Sequence, residues 1–258
     1  MLIHPTAIVN PNTKIAASVE IGPYCIVGAD VSIGERTRLM SHIVLEGKLT
    51  IGSDNVFFPF GSCGVTPQDK KYAGEASETI IGNGNSIREF VTIHRGTRGG
   101  GMKTVIGDHN LLMAYVHIAH DVIIHNHTIL ANGVTFAGHV TVEDFANIGG
   151  LSAIHQFCRI GKHAIVGSRS VIKQNVLPFS QTASDHECKV YGANRVGLQR
   201  SGFAPEAIEP LQNAFRLLSS SSLNTSQAIA RIEEEIPLTA EVKELVEFIR
   251  SSERGFVK

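Results

Sequence analysis

The sequence predicts a triangular parallel β-helix followed by a small helical tail. Three observations carry this expectation. An aliphatic or similar residue recurs at every sixth position, 25 glycines accompany that ladder in a chain of 258 residues without tryptophan, and the period turns helical after about Gly202. Neither a helix nor an ordinary strand repeats every six residues. One short strand plus one corner does, and three such units close a coil of 18 residues with the aliphatic positions inside.

The ladder opens at Ile3, Val9, Ile15, Ile21, Val27 and Ile33, and continues through Leu39, Leu45, Ile51, Phe57 and Cys63. It resumes at Ile81, Ile87 and Ile93, then runs without a register break from Ile106 through Ile118, Phe136 and Ile154 to Ile172. Glycine after the inward aliphatic, as at Gly22, Gly52 and Gly107, suits corners where side chains crowd or φ becomes positive. Asn55, Asn85 and Asn110 occupy normally small inward positions and read as structural, bonded to backbone at the turns. The ladder stops near Pro178. Three helices follow, around Ala204 to Leu218, from an N-cap at Asn224 to Ile236, and around Val242 to Ile249; Pro210 requires the first to kink or to begin after Pro205. Residues 1–183 are thus expected to form the β-helix and 184–258 the helical domain.

Composition narrows the function. A hydrophobic share of 43% suits a packed core, and 23 basic against 24 acidic residues leave a net charge of −1, which argues against nucleic acid as partner. No 18-residue apolar run or leader-like N-terminus occurs, so no membrane span is expected and the protein is placed in the cytoplasm. Cys25, Cys63, Cys158 and Cys188 form no C-x-x-C pair and read as reduced fillers.

Counting coils locates chemistry. Residues 18 apart lie over one another, about 4.8 Å apart. Ala119-His120-Asp121 therefore lies beside Ala137-Gly138-His139, and that beside His155-Gln156-Phe157. Three ladder steps below Ile118 is Ile93, which puts His94 one coil lower, with Gly64 to Thr66 below that. The ladder breaks at about 67–78 and 96–104 then both leave the prism from this edge. Eight of the 12 histidines fall between His109 and His163. His4, His42, His109, His127, His163 and His186 read as solvated surface residues, whereas the strip reads as a site. His120 can act as a base oriented by Asp121, and Gly138 exposes an N–H for developing negative charge. That is the apparatus of acyl transfer. No nucleophilic serine or cysteine falls there, which favours direct transfer.

The ladder resembles the hexapeptide-repeat acyltransferases, whose coils wind left-handed; that handedness is implied by the resemblance. More closely, Gln68-Asp69-Lys70-Lys71-Tyr72-Ala73-Gly74-Glu75, Val91-Thr92-Ile93-His94-Arg95-Gly96-Thr97, His117-Ile118-Ala119-His120-Asp121, Ala137-Gly138-His139-Val140, Ile154-His155-Gln156-Phe157-Cys158 and Gly197-Leu198-Gln199-Arg200-Ser201-Gly202-Phe203 resemble the UDP-N-acetylglucosamine O-acyltransferase family over essentially the whole chain. The resemblance implies a (3R)-3-hydroxyacyl transfer from acyl carrier protein to the sugar 3-hydroxyl, the opening step of lipid A synthesis. It implies His120 as general base, Asp121 as its support and the Gly138 N–H as the group polarising the thioester. It further implies substrate contacts by Gln68, Asp69, Lys71, His94, His117, His139, His155 and Gln156, nucleotide contacts by Asn194 and Arg200, an acyl-chain ruler at Ser168, a homotrimer with the site between subunits, and no metal or other cofactor.

Val196 and Ser201 stand where that family often has an acidic and a second basic residue, and Ser184-Asp185-His186-Glu187-Cys188 departs from its usual Gly-Asn-x-Ala. Two rivals share the prism. A γ-type carbonic anhydrase would need a zinc site, with His120 and His125 as the tempting pair, but would leave the loop motifs and the tail unexplained. The related N-acyltransferase carries an added N-terminal domain, for which a ladder starting at Ile3 leaves no room. A binding-only scaffold would not need His120.

Overall fold

The computed structural model describes residues 2–182 and 188–258. The chain winds as a left-handed parallel β-helix whose three faces are sheets of 11, 9 and 8 strands; up to Ile172, strands three apart in sequence are hydrogen-bonded to one another. Each ladder residue is the inward member of a short strand, so Ile106, Leu112, Ile118, Phe136 and Ile160 have no appreciable exposure and stack into one continuous core. Register follows the count of 18, as in His117↔Thr135 and Thr135↔Ala153. Offsets of 30 and 25, as in Val56↔Ser86 and Ser86↔Leu111, accommodate the two loops. Both loops leave from the same corner, after strands Ser62–Val65 and Thr92–His94.

The glycine excess has one physical cause at these corners. A Cβ on Gly22 would lie 1.4 Å from the Met40 carbonyl oxygen of the next coil, so crowding excludes a side chain there. Positive φ falls two residues later and mostly on large side chains: 18 described non-glycine residues adopt it, among them Tyr24, Phe60, Phe90 and Tyr115. The left-handed conformation costs a non-glycine residue about 1–2 kcal/mol. Stacking offsets it, because the rings of Tyr24, His42, Phe60, Phe90 and Tyr115 form a column with centroids 4.8 to 5.1 Å apart, and such contacts contribute about 0.5–1.5 kcal/mol each beyond burial. The inward asparagines form a second column. Asn55 Oδ1 accepts from the Asn85 N–H, Asn85 Oδ1 from the Asn110 N–H and Asn110 Oδ1 from the Thr128 N–H, while their amides donate to carbonyls of Gly82, Gly107 and His125.

Beyond Ile172 the helix closes on a strand Ser180–Thr182 paired antiparallel with Val190–Ala193. Four α-helices follow, α1 Arg195–Arg200, α2 Pro205–Leu218, α3 Thr225–Glu235 and α4 Ala240–Arg250, one more than the three expected. The six residues of α1 are too few to show a helical period. α2 does begin at Pro205 and runs through Pro210, whose side chain is buried; Asn224 caps α3 through a reciprocal box with Gln227. Leu177 and Phe179 join Leu198, Leu211, Phe215, Ile232 and Leu245 in a second core. The C-terminal segment then returns to the prism: Asn175 N–H donates to the Gly255 carbonyl, and Val257 N–H to that of Asn175.

One expectation is corrected. His163 is not solvated but 6% exposed, stacked on Phe145 with centroids 4.7 Å apart and edge-on to Phe203, and burial pushes its pKa down to about 4. The second core covers it, which no local pattern announces. His4, His42, His109 and His127 are exposed, the last three within ring columns. His186, the Ser184–Glu187 stretch and the expected division at 183 lie outside the described residues. Among the described residues no helix is long and apolar enough to cross a membrane.

Candidate active site

Strand His117–Ile118 ends at the corner from which both loops depart, and after Ala119 come His120 and Asp121. Asp121 is 4% exposed with φ +60°, and its N–H donates to Thr104 Oγ1. This conformation turns its carboxylate back toward the loop after His94, where Thr97 donates twice: N–H to Oδ1 at 2.9 Å and the hydroxyl to Oδ2 at 2.5 Å. The third bond comes from His120, whose Nδ1 lies 2.8 Å from Oδ2. A buried carboxylate accepts, so Nδ1 carries the proton and Nε2 presents a lone pair. Under that ring is Gly138, where a Cβ would stand 2.4 Å from His120 Cε1 and 2.8 Å from Nε2. Among the described residues no backbone carbonyl takes the Gly138 N–H.

At His94, His117 and His139 burial favours the neutral ring. His94 is 4% exposed and falls to about 4, pushed by desolvation first and by its neighbours His117 and His120 second; its Nδ1 is buried without a partner. His117 bonds Thr92 Oγ1 through Nδ1 at 2.7 Å, and burial lowers it too. His139 stacks on Phe157 and stands edge-on to His120; burial lowers its pKa, opposed by the charges of Asp121 and Asp69.

An open groove of about 550 Å³ runs along the outer face of the second sheet; His94, Asp121 and His139 do not line it. Gln68, His117, His120, Gly138, His155 and Gln156 line it, with Ala153 and Val171 as its apolar floor. Lys71 is exposed on the first loop and Asp69 Oδ1 accepts its N–H. Three expected site residues lie elsewhere in the chain. Ser168 is exposed on the turn after strand Ile165–Val166, at the opposite edge of the second sheet. Asn194 is buried, donating to the His163 carbonyl and capping α1 at Gly197 N–H. Arg200 is exposed at the end of α1.

Arg254 was not legible beforehand. Its Nη2 lies 2.8 Å from His155 Nδ1 and its Nε donates to the Lys173 carbonyl. A guanidinium only donates, so this contact uses the Nδ1 lone pair, in competition with the Gln156 carbonyl 3.2 Å from the same nitrogen. The conjunction of Arg254 with Gly255 near the end of the chain was the available signal, but nothing in the period tied it to residue 155.

A metal centre fits these residues poorly. Ligand atoms of His120, Asp121 and His139 lie within 4.8 Å of one another, but His120 Nδ1 and Asp121 Oδ2 are bonded to each other, and Oδ2 also takes the Thr97 hydroxyl. Zinc chemistry of the rival kind calls for three imidazoles around an open position.

A triangular prism carrying an aspartate-oriented histidine over an unhindered backbone N–H defines a hexapeptide-repeat acyltransferase. Residues 103–138 match the bacterial transferase hexapeptide family (six repeats), and residues 175–257 match domain 2 of UDP-N-acetylglucosamine O-acyltransferase. The acyl-[acyl-carrier-protein]–UDP-N-acetylglucosamine O-acyltransferase of Thermodesulfovibrio yellowstonii is 50% identical over 256 residues, covering 99% of each chain. Solved structures of LpxA from Acinetobacter baumannii and of LpxA, a UDP-N-acetylglucosamine acyltransferase, from Bacteroides fragilis superpose with TM-scores of 0.95 and 0.97 at 43% and 38% identity, each covering 100% of both chains. The chain belongs to the UDP-N-acetylglucosamine O-acyltransferase family.

Proposed function

We propose that the protein transfers a (3R)-3-hydroxyacyl group from acyl carrier protein to the 3-hydroxyl of UDP-N-acetylglucosamine, the first step of lipid A synthesis, in the cytoplasm. The observation that carries the reading is the His120–Asp121 pair set over Gly138. His120 Nε2 takes the proton of the sugar hydroxyl as that oxygen attacks the thioester carbonyl. The Gly138 N–H donates to the oxyanion, and as the C–S bond breaks the imidazolium returns its proton to the departing thiolate. Gln68, Asp69, Lys71, His94, His117, His139, His155 and Gln156 hold the acceptor; neutral rings at His94 and His117 suit hydrogen bonding better than charge. The prism, 1–183, is the catalytic unit, and the helical unit, 184–258, adds Asn194 and Arg200 at the nucleotide end.

A homotrimer fits the surface. The outer column of Tyr24, Phe60, Phe90, Tyr115 and Leu151 leaves each of these side chains 42% to 65% exposed, and Ile8, Ile26 and Val171 extend the apolar strip onto the second face. A strip this long calls for cover. A second copy whose edge covered the groove would also bring its Ser168 toward the apolar floor. Incubating purified protein with 3-hydroxyacyl carrier proteins of graded length and either UDP-N-acetylglucosamine or its 3-amino analogue tests the reaction. Ester formation on the 3-hydroxyl sugar is expected; product with the amino sugar alone would replace the acceptor, and no product with either would overturn the reading.

A further inference from the structure

The loop between Arg95 and Met102 does more than interrupt the prism. It closes over the carboxylate of Asp121. Thr97 is 4% exposed and gives that carboxylate two of its three hydrogen bonds, one to each oxygen. The loop's short 3-10 turn, Arg98–Gly100, is held by N–H groups of Gly100 and Met102 donating to the Thr97 carbonyl, and it rests Gly100 so closely on Asp121 that a Cβ there would lie 2.0 Å from Cγ. The first loop supports the second: Glu75 Oε1 accepts from Arg98 N–H while Oε2 accepts from Ala73 N–H. Two upstream loops thus brace one buried carboxylate, the second directly and the first through Arg98.

We propose that Thr97 is a positioning residue for the base, clamping Asp121 and sharing with the imidazole the one oxygen, Oδ2, that orients His120. An oxygen that already accepts a 2.5 Å bond from a hydroxyl offers less to the imidazole. Asp121 therefore aligns His120 and fixes its tautomer through an oxygen that it shares with the Thr97 hydroxyl. The other charged or titratable groups facing the pair are His139, whose Nδ1 is 3.9 Å from Oδ2, His94, whose charge acts on His120, and Asp69, which acts on His139. None of them donates to either Asp121 oxygen within hydrogen-bond distance.

The inference rests on His120 as base, and its test reads the imidazole itself. Thr97→Val keeps the shape and the backbone bond but removes the hydroxyl; Thr97→Ser keeps the hydroxyl. The His120 ring is titrated by NMR in the full-length protein, alongside kcat and KM for UDP-N-acetylglucosamine. In Thr97→Val the His120 pKa is expected to rise by about one unit and the ascending limb of the pH–rate profile to move with it, with kcat down about tenfold and KM within about twofold. Thr97→Ser is expected to restore all three. An unshifted His120 titration in Thr97→Val, or equal losses in the serine and valine proteins, overturns the proposal. If the valine protein does not fold, Thr97→Ala carries the same expected shift. His120→Ala with undiminished turnover would sink the base instead, while the effect of Thr97 on the imidazole would remain readable.

Discussion

The imidazole of His120 occupies the space that a side chain on residue 138 would need, Cε1 lying 2.4 Å and Nε2 2.8 Å from where the Cβ would be. The imidazole of the base therefore lies against the backbone of residue 138 in the adjacent coil, with no room between them for a side chain. Gly138→Ala should displace the ring and lower kcat about 10²-fold, since a misplacement near 1 Å costs that much. His120→Ala should lower it by about 10²–10⁴-fold with the fold intact. Turnover near wild type in either protein, measured with circular dichroism to confirm folding, would remove that residue from the chemistry.

Acid should destabilise the protein through His94 and His163. Each titrates near 4 in the folded chain against an ordinary 6.5, because burial disfavours the charged ring. Between those values the unfolded chain binds protons that the folded chain does not, so stability is intact above pH 6.5 and is lost as pH falls toward 4. His163→Phe, which keeps a ring between Phe145 and Phe203, should narrow the drop in Tm between pH 7.5 and pH 5 by about 2–4 °C. Parallel Tm–pH curves for the two proteins would show that His163 contributes nothing to it.

Lys189, Arg195 and Arg200 fall in the stretch of chain where the prism gives way to the helices, and Arg195 and Arg216 line one open pocket of about 280 Å³. An acidic acyl carrier protein would be steered there, chiefly in its encounter rate and at low salt. Arg195→Glu with Arg216→Glu should raise KM for the acyl carrier protein several-fold at low ionic strength and less at high. An unchanged KM at low salt would move docking elsewhere.

Ser168 lies on the turn before Val171 and does not itself line the groove, and an effect on chain length is expected to act through a neighbouring copy. A hydroxymethyl group blocks space that glycine would leave, and each excluded methylene forfeits about 0.8 kcal/mol of burial. Ser168→Gly should shift the kcat/KM optimum toward longer hydroxyacyl donors and Ser168→Met toward shorter ones. One shared optimum across the three proteins would exclude Ser168 as a ruler.

The six-residue period by itself determined the prism, its core and the meeting of His120, Gly138 and Gln156, because a coil of fixed perimeter converts sequence separation directly into position. It also placed the two loops on one corner, since each must leave and rejoin the same ladder. What it could not encode is anything off the period. Thr97 reaches Asp121 through a loop whose path is set by packing and by Glu75, and Arg254 reaches His155 across 99 residues through the returning C-terminal segment. Local preference misled at His163, where a second core laid over the prism turned a corner histidine into a buried one. It was equally silent on Tyr24, Phe60 and Phe90, because a left-handed backbone at an aromatic residue becomes affordable through stacking on the coils above and below, a contact that exists only once the chain has wound.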